Sequence, residues 1–173
     1  MKKILLKLLS FLLVIAVMVI LLLSLGNDEG ARYVFKGNST YEPIVLKKRE
    51  YQCSECTMDI EALSYATQLV TQEGNTYFFD EVGCMVLWLQ NHTLPIKEMF
   101  VYTYDTHRWI EAEKAWYSRT ASTPMGYGFT AFEEKKEGFI PFEKMKTLML
   151  QGQNLHDPFV KKHLLGEDNL SWK

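Results

Sequence analysis

Apolar and polar positions divide the chain near residue 26. Before that point, Leu8 to Leu25 run without a charge behind Lys2, Lys3 and Lys7. About 20 apolar residues span a bilayer core as a helix. A secretory signal has a shorter apolar core and ends in small residues of the A-x-A kind, whereas this segment ends Leu23-Ser24-Leu25-Gly26-Asn27. The pattern predicts an uncleaved transmembrane anchor over residues 1–26, with a cleaved signal as the alternative. Three lysines precede the span and only Asp28 and Glu29 directly follow it. The positive-inside rule then leaves the N-terminus in the cytoplasm and the rest outside. The N-terminal lysines suggest a bacterial inner membrane, and the expectation is a single pass through it with the C-terminal domain on the outer side.

Residues 27–50 are polar and irregular and read as a linker. From there on, short apolar runs alternate with turn residues. Tyr65 to Val70 and Thr76 to Phe79 read as strands joined at Glu73-Gly74-Asn75, a hairpin. Asp80 is a candidate cap for a helix from Glu81 to about Gln90. Val82, Met85, Val86 and Leu89 form its apolar stripe, and Cys84, Leu87 and Trp88 make its other side apolar too, which predicts burial. Met99 to Tyr104 reads as the next strand. A weaker copy follows: strands over Ala115 to Arg119 and Phe129 to Phe132, then a helix opened by Pro141 at its first position, with Phe142, Met145, Leu148 and Met149 on one face. Gly152 terminates it. The expected fold is α+β, two small ββαβ modules at about 51–106 and 107–152 after an N-terminal transmembrane helix. Residues 153–173 form a tail in which Asp157-Pro158 opens a short helix that ends at Gly166.

Charge narrows the function. The 173 residues hold 19 Lys and Arg against 21 Asp and Glu, and without the three N-terminal lysines the balance is more acidic still. No basic stripe is present, which argues against nucleic acid as a partner. The sequence has 3 cysteines, so at most one disulfide forms within the chain and one thiol is left over.

Two of those cysteines lie in Cys53-Ser54-Glu55-Cys56-Thr57-Met58. On an extended segment, Cys56 and Met58 point to one face. Thiolate and thioether together favour Cu(I) over the commoner divalent ions. Cys53 with Cys56 is also a C-x-x-C pair. No second pair exists to complete a structural zinc site, and the motif does not open an apolar helix as a thioredoxin-like motif would. A plain Cys53–Cys56 disulfide stays open. Cys84, in an apolar helix, is expected to be core, and the four histidines are expected at the surface. Met125 lies in Thr123-Pro124-Met125-Gly126-Tyr127-Gly128, where no strand or helix packing explains it. No phosphate-binding loop, nucleophile elbow or zinc-protease motif is present, and nothing argues for an enzyme.

Four segments, in order, resemble the NosL family, accessory proteins of nitrous oxide reductase. They are Cys53 to Ile60, Phe78-Phe79-Asp80-Glu81-Val82-Gly83-Cys84-Met85, Ala115-Trp116-Tyr117, and Thr123 to Phe129. The resemblance covers roughly residues 50–150. It implies a fold of two ββαβ modules and a membrane-attached periplasmic Cu(I) chaperone. The implied partners are nitrous oxide reductase or its membrane-bound assembly machinery. It places sulfur ligands at Cys56, Met58 and Met125, with Cys53 fitting the family's C-x-x-C form. The chain departs from the family at its N-terminus, where typical members carry a lipid-bearing cysteine. The expectation is therefore a Cu(I) metallochaperone. The rivals are a membrane-anchored thiol–disulfide oxidoreductase using Cys53 and Cys56, and a non-metal subunit of a membrane complex.

Overall fold

The structure, a computed structural model, describes residues 11–20 and 33–166. The chain divides into two compact units, Met1–Ala31 and Arg32–Lys173. In the first, residues 11–20 are helical (α1). Among the described residues no helix is long and apolar enough to cross a membrane. The remaining residues of the expected span, 8–10 and 21–25, lie outside the described residues.

The second unit carries two antiparallel sheets. In the first sheet, β2 (Thr67–Thr71) and β3 (Thr76–Phe79) form the expected hairpin. Its turn needs Gly74, which sits at φ +76° with its α carbon so near Asn38 that a Cβ would lie 2.9 Å from that carbonyl oxygen. α2 (Val82–Asn91) follows, and β4 (Ile96–Tyr102) returns to pair with β2. This is a ββαβ unit. β1 (Val34–Phe35) extends the sheet beyond β3, and β5 (Trp109–Glu111) extends it beyond β4. The first sheet thus continues past the expected module boundary at 106.

Both faces of this sheet are covered. Leu69 and Phe79 join Val82, Met85 and Val86 of α2 in the main core. Phe78 points the other way, into a smaller cluster with Leu46, Tyr51, Ile60 and Ala66. That second face corrects the linker expectation for residues 33–50. Buried Gln68 donates to the Ile44 carbonyl at 2.7 Å and accepts from the Ile44 N–H at 2.8 Å. Asn38 donates to Thr76 Oγ1 at 3.0 Å. A buried side-chain amide left without such partners would cost about 1–3 kcal/mol, so this stretch is a fixed cover.

The second sheet has β6 (Trp116–Ser118) between β7 (Thr130–Phe132) and β8 (Ile140–Pro141). α3 (Phe142–Leu150) follows β8. In space the order β7-β6-β8 repeats β3-β2-β4, but along the chain the third strand comes before the helix. The expected second ββαβ is therefore a βββα. Pro141 closes β8 and caps α3 instead of opening it, which suits an edge strand that needs no N–H from it. After α3, Gly152 at φ +71° ends the helix as expected. Among the described residues no strand follows, because Gln153 to His156 offer one apolar residue, Leu155, which packs on Gly128. α4 (Pro158–Leu164) starts at Asp157, whose carboxylate accepts from the N–H groups of Phe159 and Val160. The two helices α2 and α3 touch, and residues of both sheets share one core.

Candidate metal centre

The C-x-x-C segment is a tight turn held by its own backbone. The Cys53 N–H donates to the Met58 carbonyl at 2.8 Å, and the Thr57 N–H donates to the Cys53 carbonyl at 3.0 Å. Thr57 takes φ +66° to close it. The Ser54 N–H donates to the Phe78 carbonyl at 2.8 Å, which fastens the turn to β3. The Cys56 N–H donates to the Cys53 sulfur at 3.4 Å. Cys56 and Met58 are thus not neighbours on one face of an extended strand, as the sequence suggested. The turn folds Cys56 back beside Cys53.

The end of β3 and the first turn of α2 supply the other half. Asp80 and Cys84, four residues apart, project toward the turn. The sulfurs of Cys53, Cys56 and Cys84 and a carboxylate oxygen of Asp80 all lie within 4.8 Å of one another. This corrects two expectations. Asp80 does not cap α2; the residue at the cap position is Glu81, which makes no side-chain cap bond. Instead, Asp80 Oδ2 accepts from the Cys56 thiol at 3.4 Å. Cys84 is fully buried, as expected of core, but its sulfur faces the other two thiols.

A metal ion fits these residues. Thiolate–metal bonds of about 2.3 Å place tetrahedral donors ~3.8 Å apart, so the observed cluster needs a contraction of about 1 Å at most. Asp80 Oδ1 is buried and has no hydrogen-bond partner. All three cysteines are free. The protons are unevenly held. The Cys84 thiol donates to the Cys53 sulfur, which raises Cys84 and lowers Cys53. Burial pushes the Cys56 thiol up to about 12.

Met58 is 44% exposed. It lines a cavity of about 570 Å³ with Asp59, Glu61, Ala62, Tyr65, Asp80, Ser122, Thr123 and Pro124, so the cavity opens onto the cluster through Asp80. Met125 follows Pro124 and is half-buried against the main core. Its N–H donates to Glu81 Oε2 at 3.4 Å, and the Tyr127 N–H donates to Glu81 Oε1 at 3.4 Å. The Met125 carbonyl is bonded to His156 Nε2. The Tyr127 ring lies over Gly83, where a Cβ would come within 2.5 Å of it. Burial pushes the Tyr127 phenol up to about 12, helped by Cys84, Glu81, Glu55 and Cys56 nearby. Burial also pushes the Glu81 carboxyl up to about 7, although Thr123 and the two backbone N–H groups oppose it.

No protein-family model matches the chain, and no curated protein matches it. Among solved structures, the chain is similar to the crystal structure of the copper chaperone NosL from Shewanella denitrificans. The two are 16% identical with a TM-score of 0.45, over 64% of this chain and 87% of that one.

Of the expected ligands, Cys53 and Cys56 are brought together. Met58 lines the cavity together with Ser122, Thr123 and Pro124 of the loop that carries Met125. Cys84 and Asp80 were missed. The signal for them was the spacing: two potential ligands at i and i+4 across a helix start share one face.

Proposed function

We propose that this chain is a Cu(I)-binding metallochaperone, with the ion as cargo. The observation that carries the reading is the gathering of three free thiols around a carboxylate with an unsatisfied buried oxygen. Soft sulfur donors favour Cu(I). The thiols are the strong donors, and the neutral thioethers of Met58, on the cavity wall, and of Met125, which follows Pro124 of that wall, are the weaker ones through which cargo is received and released. Membrane attachment by residues 1–26, an exported domain in the periplasm, and service to nitrous oxide reductase or its assembly machinery belong to this reading. Their support is the charge asymmetry around Leu8 to Leu25 and the order of the four motif segments.

A thiol–disulfide oxidoreductase needs an accessible cysteine whose thiol is held low. Here the more accessible cysteine, Cys56, is pushed up. Anaerobic Cu(I) titration of the full chain against a competing chelator tests the choice. Tight binding of Cu(I) is expected. No binding, together with rapid exchange of disulfides with a dithiol substrate, would replace the reading with the oxidoreductase.

A further inference from the structure

Glu81 is 1% exposed and belongs to no ion pair among the described residues. Burying a carboxylate away from cations is costly. Among the described residues, the hydrogen bonds to its carboxylate run to one loop, more than 40 residues further along the chain. One oxygen accepts from the Met125 N–H, the other from the Tyr127 N–H, and the Thr123 hydroxyl donates to the carboxylate as well. Thr123 Oγ1 in turn accepts from the Gly128 N–H at 3.1 Å. On its other side the loop is fastened to the C-terminal segment, where the Leu155 N–H donates to the Tyr127 carbonyl at 3.1 Å and His156 bonds the Met125 carbonyl. Both peptide groups of residue 125 are thus pinned, one of them by a residue next to Asp80 and three before Cys84.

We infer that Glu81 is a positioning residue for the metal site, its carboxylate clamping the backbone of residue 125 against the start of α2 so that the Met125 thioether faces the cysteine cluster. This rests on the reading of Met125 as a donor. Glu81 never touches the ion. It acts through Met125, and its loss should be invisible once that sulfur is gone.

The test is a double-mutant cycle in Cu(I) affinity, by anaerobic competition with a chelator, on the full chain. Glu81→Gln keeps the shape but turns an amide NH₂ toward one of two N–H donors. It should weaken binding roughly tenfold, the size of effect seen when the support of a ligand is removed. Met125→Leu should weaken it by a similar factor. The double variant should bind no worse than Met125→Leu alone, since the two act as one unit. Fold losses that multiply, or a Glu81→Gln protein that binds as the wild type, would overturn the inference. Hydrogen exchange on the metal-free chain gives a second readout. The amides of Met125 and Tyr127 should exchange faster in Glu81→Gln while those of β2 stay as they were, and unchanged exchange at 125 and 127 also overturns it. Should Glu81→Gln fail to fold, Thr123→Val, which removes the third contact, is held to the same comparisons. A wild type that binds no Cu(I) defeats the chaperone reading, whereas the exchange data decide the clamp separately.

Discussion

Asp80 has one carboxylate oxygen bonded to the Cys56 thiol and the other buried and bonded to nothing. Its charge opposes ionisation of all three cysteines. Asp80→Asn should therefore lower the pH at which the Cys56 thiolate forms, read from thiolate ultraviolet absorbance across a pH series. An unmoved or raised Cys56 titration would show that the carboxylate does not face the thiols. A soft ion loses little with an oxygen donor, so Cu(I) affinity should change far less than on losing a thiol. Glu81 makes the opposite kind of statement, about stability. Its carboxyl is raised from an ordinary 4.5 to about 7, so between those values the folded chain holds a proton that the unfolded chain has lost. Stability of the metal-free protein should then fall as pH rises from 4.5 to 7 and level off above, at about 1.4 kcal/mol per unit of difference. Urea melts at several pH values should show that slope in the wild type and lose it in Glu81→Gln. A slope that persists in Glu81→Gln assigns it to another group.

At the scale of elements, the site is a junction of three pieces: the C-x-x-C turn, the β3–α2 corner and the Thr123–Gly128 loop. Gly83 is what lets the loop lie on the helix. In an open helix position, Gly→Ala stabilises by about 1 kcal/mol. Here the new Cβ would meet the Tyr127 ring at 2.5 Å, and overpacking costs about 1–3 kcal/mol. Gly83→Ala should therefore lower the melting temperature, and Tyr127→Ala in the same chain should convert the added methyl into a stabilising one. If Gly83→Ala alone raises the melting temperature, the loop does not pack there. Periodicity made most elements legible. The β2–β3 hairpin, α2, α3 and α4 lie within a residue or two of where apolar spacing, Gly74 and Asp157-Pro158 place them. What pattern could not show was the use of a face. Cys84 fits an all-apolar helix, so nothing in the helix itself separates a thiol packed in core from one turned toward Cys53. Met58 was misplaced for a similar reason: alternation assumes extended backbone, and Thr57 at φ +66° breaks it. The strand β8 escaped because two residues ending in proline carry no strand pattern.

Across the whole second unit, the two halves of the sequence are not separate bodies. Tyr117, Phe129, Phe142, Met145 and Met149 from the later half share a core with Leu69, Phe79, Val82 and Met85 from the earlier one. A fragment ending at Glu111 would strip one side of α2. It should lack a cooperative thermal transition by circular dichroism, and a sharp melt in that fragment would show the modules to be independent. The shared core also explains how a site assembled from distant segments stays closed: Cys53 and Cys84 are members of it as well as of the thiol cluster. Cys84 is the decisive residue: the amino-acid pattern assigns it to core alone, and the structure turns it toward the other two thiols. Anaerobic Cu(I) competition titration of Cys84→Ser beside the wild type, with circular dichroism to confirm that both are folded, measures what that thiol contributes to metal binding. The expected result is a loss of affinity of roughly tenfold or more, comparable with that of Cys56→Ser. A folded Cys84→Ser protein that binds Cu(I) as tightly as the wild type would contradict it.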